Sequence, residues 1–140
     1  MYENLKKKYG QHFLIDKNIL TKISDLILKS DKNILEIGPG DGRLTNEILL
    51  KKPSELTLVE IDTSLVNDLK KKYSTLKFIT IINENILDLP IHKKYNAVIS
   101  NLPYNISSQI LVKLSLLENA PDKLILMFQK EFAKRLLNLK

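Results

Sequence analysis

The chain has 140 residues, 44% hydrophobic and 27% charged, which suits one globular domain over 1–140 with enough apolar content for a core. Cysteine is absent and the two histidines, His12 and His92, lie far apart, so disulfides and a thiolate nucleophile are excluded and no metal site is expected. No apolar run nears the ~18 residues of a membrane span, and the charged opening stretch has no apolar signal core, so a cytoplasmic enzyme or binding domain is expected. The formal net charge of +6 gathers at Lys6-Lys7-Lys8, Lys51-Lys52, Lys70-Lys71-Lys72 and Lys93-Lys94. Such clusters serve a polyanionic partner or simply a solvated, lysine-rich surface.

Asp16 is placed to cap a helix whose apolar positions Ile19, Leu20, Ile23, Leu26 and Ile27 follow the 3.6-residue period. Ile34-Leu35-Glu36-Ile37 reads as a strand, followed by Gly38-Pro39-Gly40-Asp41-Gly42 and a helix over 44–51. Pro53-Ser54 breaks that helix and 56–61 forms a second strand; Thr63 is placed to cap a third helix, ending near Tyr73. Residues 78–82, rich in β-branched side chains, form a third strand. A loop over 83–94 leads to a fourth strand over 96–100, the turn Asn101-Leu102-Pro103-Tyr104, and a helix over 107–117. A fifth strand over 124–128 and a helix over 130–140 follow.

This alternation predicts an α/β fold with a doubly wound, mostly parallel sheet and ligands at the carboxyl ends of its strands. In the order 3-2-1-4-5 the fifth strand is an edge, and 124–128 carries no charge to discourage pairing. The sheet is therefore expected to be incomplete, with 124–128 open to a further strand or a partner.

Two constellations carry chemistry. Gly38-x-Gly40-x-Gly42 directly after a strand lets a ligand approach the backbone. Glu36, just ahead, is placed to face an ammonium group, and Glu60, 22 residues beyond Gly38, can accept from both hydroxyls of a ribose. An adenosine-containing ligand follows. Asn101-Leu102-Pro103-Tyr104 offers an amide oxygen, the Leu102 carbonyl and a ring beyond a strand that Pro103 stops. Two acceptors and a flat face suit an amino-bearing base such as adenine. The plain alternative is a polar loop with a turn proline.

Gln11-His12-Phe13-Leu14, Glu36-Ile37-Gly38-Pro39-Gly40, Glu60-Ile61-Asp62, Asn101-Leu102-Pro103-Tyr104-Asn105-Ile106-Ser107 and Gln129-Lys130-Glu131 occur in order. Together they closely resemble the S-adenosylmethionine-dependent rRNA adenine dimethyltransferases of the KsgA type, which have a Rossmann-like methyltransferase fold; the erythromycin-resistance rRNA methylases share the framework. The resemblance implies dimethylation at N6 of two adjacent adenosines in small-subunit ribosomal RNA, within a pre-30S-type particle. It implies that Gln11, His12, Leu14, Glu36, Gly38, Gly40, Glu60, Ile61, Asn85, Ile86 and Asn101 contact S-adenosylmethionine, and that Asn101, Leu102, Pro103 and Tyr104 meet the target base. It also implies two further strands and a helical RNA-binding domain that 140 residues do not hold.

One departure stands out. The family usually has an aspartate where this chain has Asn85, a neutral and weaker acceptor for an adenine amino group. Rival readings are an inactive fragment or RNA-binding module that keeps the cofactor fold, a nicotinamide-dependent oxidoreductase, and a DNA adenine methylase. The wider motif set favours rRNA.

Overall fold

A computed structural model describes residues 17–102 and 104–126. In chain order these form α1 (Lys17–Ser24), β1 (Asn33–Ile37), α2 (Arg43–Leu49), β2 (Glu55–Glu60), α3 (Thr63–Lys72), β3 (Ile79–Asn83), β4 (Ala97–Ser100), α4 (Tyr104–Ser115) and β5 (Lys123–Leu126). The five strands make one sheet in the order β3-β2-β1-β4-β5, every neighbouring pair parallel. The doubly wound order expected from the sequence is thus observed. So is the place of β5 at the sheet's edge among the described residues.

Apolar burial on both faces explains why β1, β2 and β4 read as nearly unbroken hydrophobic runs. Ile34, Leu56, Leu58, Ala97 and Ile99 face a cluster with Leu20, Ile23, Ile48 and Leu69 of α1–α3. Leu35, Ile37, Val59 and Val98 face Ile110 and Leu114 of α4 together with Ile86. Helices on the two faces leave the carboxyl ends of the strands as the open edge.

Several boundaries differ from the sequence reading. The first helix ends at Ser24, where the chain tightens into i→i−3 bonds from Leu26 and Ile27. That swings Leu26 into solvent yet keeps Ile27 buried. Asp62, not Thr63, caps α3, its carboxylate accepting from the amides of Ser64 at 2.8 Å and Leu65 at 3.2 Å. Helix α4 starts at Tyr104, three residues before the expected start at Ser107. The fifth strand begins at Lys123; Met127, Phe128 and the expected helix over 130–140 lie outside the described residues, as does Asp16.

Candidate active site

The register sets the geometry. Ile37 pairs with Val59 on one side and with Ser100 on the other, so the ends of β1, β2 and β4 lie together. Gly38 and Asn101 therefore leave adjacent strands side by side. Gly38 has φ +69°, and a Cβ there would stand 2.6 Å from Leu102 Cδ2. Glycine is needed twice over at this position, for the left-handed backbone and for the close approach of Leu102.

Glu60 closes the loop from the other side. Its Oε1 accepts from the Gly40 amide at 3.0 Å and its Oε2 from the Asp62 amide at 2.9 Å. Glu60 is 5% exposed; burial raises its pKa and the two amides oppose that rise. Each carboxylate oxygen keeps a further lone pair for a ligand. Asn83, paired with Glu60 in the sheet, donates to the carbonyls of Glu60 and Ile61 and accepts from Thr63 Oγ1. That side chain locks the ends of β2 and β3 to the start of α3.

Between these ends lies a cavity of about 220 Å³. Ile37, Val59, Ile61, Leu65, Ile86, Leu87 and Ile106 give it apolar walls, with Gly38 at the end of β1 and Glu60, Asp62, Glu84 and Asn85 as polar groups. Helix α4 adds Asn105 and Gln109, and the turn before it adds Leu102. A mostly apolar slot with a few fixed acceptors suits a nucleoside.

Of the expected cofactor contacts, Gly38, Glu60, Ile61, Asn85 and Ile86 line this cavity. Gly40 acts through its amide on Glu60. Asn101 does not line the cavity; it is half-buried one residue past β4. Gln11, His12, Leu14 and Pro103 lie outside the described residues. Tyr104 opens α4, but its side chain is not described.

Glu36 requires a correction. It is 1% exposed, on the same face of β1 as Ile34, and accepts from Thr45 Oγ1 of α2. Strand alternation turns Ile37 toward the cavity and Glu36 into the opposite core. Burial raises its pKa to about 8, and its hydrogen-bond partner Thr45 lies in that opposite core, away from the cavity.

Two expected acceptors already have donors. Leu102 carbonyl accepts from Ser107 Oγ at 3.1 Å, and Asn85 Oδ1 accepts from the Leu87 amide at 3.0 Å. Glu84 lines the cavity beside Asn85. Sequence reasoning passed over Asn83, Leu65, Ile106 and Gln109 as site-building residues. For the last two a signal existed, since Asn105, Ile106 and Gln109 recur at helical spacing directly after the quoted turn.

Among the described residues no group of acidic side chains and histidines could hold a metal ion, and no helix is long and apolar enough to cross a membrane.

Comparison with known proteins agrees with this geometry. The family model described as ribosomal RNA adenine dimethylase matches residues 2–140. A ribosomal RNA small subunit methyltransferase A from Pelagibacter ubique is 45% identical over 144 residues, covering 99% of this chain and 54% of that protein. One of the same name from Malacoplasma penetrans is 45% identical over 136 residues, covering 93% and 48%. Among solved structures, a dimethyladenosine transferase from Plasmodium falciparum superposes with TM-score 0.76 at 32% identity, covering 90% of this chain and 46% of that one. The 23S rRNA methyltransferase ErmE gives TM-score 0.74 at 31% identity, covering 88% and 50%. The chain spans about half the length of the curated relatives it matches. With a matching family model over almost every residue, a five-stranded parallel sheet and a nucleoside-sized slot at its carboxyl edge, the chain belongs to the ribosomal RNA adenine dimethylase family.

Proposed function

We propose that this chain forms the methyl-donor half of an enzyme that dimethylates N6 of two adjacent adenosines in small-subunit ribosomal RNA. The observation that carries the reading is the contact of Leu102 with Gly38, which sets the cofactor-type cavity against the Asn101–Tyr104 turn. The small-subunit assignment is supported by the names of the curated relatives at 45% identity.

S-adenosylmethionine supplies a sulfonium methyl group, whose intrinsic reactivity leaves the protein to align the partners. In this reading Glu60 accepts from the ribose hydroxyls, Asn85 and Ile86 bound the adenine, and Gly38 and Ile61 shape the floor. Adenine N6 is a poor nucleophile because its lone pair is delocalised into the ring. Asn101 Oδ1 and the Leu102 carbonyl accept its two hydrogens and stabilise positive charge growing at nitrogen. Tyr104 stacks on the base, which must leave its own stack to enter. After the first transfer one hydrogen remains, so one acceptor suffices and the other position must admit a methyl group.

The test is transfer of labelled methyl groups into unmodified small-subunit RNA. Asn101→Ala is expected to lower transfer by about two orders of magnitude or more, with cofactor affinity nearly unchanged. Near-normal turnover in that variant would refute the role. RNA binding without transfer, by a domain that keeps the cofactor fold, is the second reading. Cofactor binding with no transfer under any condition would favour it.

A further inference from the structure

Helix α4 presents Asn105, Ile106 and Gln109 to the cavity, and Lys113 stands one turn beyond Gln109 along the same helix. The Lys113 ammonium donates to the carbonyls of Ile86 at 2.6 Å and Leu89 at 2.5 Å. Those carbonyls end one tight turn. Within it the Asp88 amide donates to the Asn85 carbonyl, the Leu89 amide to the Ile86 carbonyl, and the Leu87 amide to Asn85 Oδ1. A cation where the carbonyls of a helical turn converge stabilises that turn.

The lysine is half-buried, and burial lowers its pKa, with Asp88 pulling the other way. An ammonium that gives up hydration is compensated only while both carbonyls stay in place. The tie therefore resists any movement of the turn. Ile86, 4% exposed, anchors the same turn in the apolar cluster under α4.

We propose that Lys113 is a positioning residue that holds the turn carrying Asn85 and Ile86 at a fixed spacing from α4, and so keeps the ligand cavity in its binding shape. The inference rests on the methyl-donor reading of that cavity. Without the tie, the binding-competent arrangement is populated for a smaller fraction of the time, and apparent affinity falls by that fraction.

Lys113→Met keeps the aliphatic stem and removes the ammonium. Lys123→Met is the control, because Lys123 bonds the Leu26 carbonyl and Asp31 and does not line the cavity. Two quantities are measured on each protein: hydrogen exchange at the amides of Leu87, Asp88 and Leu89, and calorimetric binding of S-adenosylhomocysteine. In Lys113→Met we expect exchange to quicken and Kd to rise, each by about tenfold. Lys123→Met should leave both within about twofold whatever happens to its thermal midpoint. Unchanged exchange in Lys113→Met overturns the tie, and quickened exchange with unchanged affinity overturns its role in binding. If the parent chain does not bind S-adenosylhomocysteine, the methyl-donor reading falls, while the exchange result still upholds or overturns the tie.

Discussion

Replacing Gly38 by alanine separates the two reasons for a glycine at the end of β1. The backbone there has φ +69°, which costs an L-residue with a Cβ about 1–2 kcal/mol. The new methyl would also lie 2.6 Å from Leu102 Cδ2 and 3.2 Å from Cγ, and the three nearest atoms all belong to that side chain. Leu102 must then leave its rotamer, at about 0.5–1.5 kcal/mol. Gly38→Ala should therefore destabilise by about 1.5–3.5 kcal/mol in total. In a Leu102→Ala background the clash is gone and only the backbone cost remains. Urea denaturation of the parent, both single variants and the double variant closes the cycle, with comparison of midpoints at constant m. The expected coupling is about 1 kcal/mol, with the double variant more stable than the sum of the singles. Additivity within about 0.3 kcal/mol would refute the contact, and with it the mechanical link between the glycine loop and the Asn101–Tyr104 turn.

Two further outcomes are expected. Asn85→Asp should tighten S-adenosylmethionine binding, because one carboxylate oxygen can keep the Leu87 amide while the other accepts from the adenine amino group; calorimetry showing unchanged or weaker binding would count against it. Glu36 has its pKa raised from 4.5 to about 8, so between those values the folded chain holds a proton that the unfolded chain has lost. Stability then falls as pH rises through that window, by at most about 1.4 kcal/mol per pH unit. Glu36→Gln, which still accepts from Thr45, should flatten this slope in denaturation curves taken from pH 5 to 8, and an unaltered slope would place the titrating group elsewhere.

The strand order was legible because the central strands β1, β2 and β4 are apolar on both faces and each connection is long enough for a crossover. Positions decided by a single competing donor were not legible. Asp62 and Thr63 are both good caps, and only the path of the chain after Glu60 gives the role to Asp62. A proline just ahead of a helix is compatible with its first turn, so its presence in the sequence was no reason to delay the start of α4 from Tyr104 to Ser107. Glu36 failed for a different reason. Its place beside the glycine loop in sequence suggested the ligand, but strand alternation governs, and the neighbour that faces the cavity is Ile37. Glu60 lines the cavity at the end of β2, as its strand-end place suggests, yet its amide bonds to Gly40 and Asp62 depend on a loop geometry that no spacing rule encodes.

In the proposed reading, helix α4 is the element on which both halves of the site depend. It follows directly from the turn that would hold the target base, its Ser107 hydroxyl fixes the Leu102 carbonyl, and its Lys113 fixes the turn on the cofactor side. The Ser107 bond has a consequence for the chemistry. A carbonyl oxygen has two lone pairs, so one remains for the amine, but an oxygen that already accepts a hydrogen bond has less charge to offer a second donor. What the turn gives up in acceptor strength it gains in direction. For a displacement limited by alignment, a carbonyl held still serves better than one that is free and stronger.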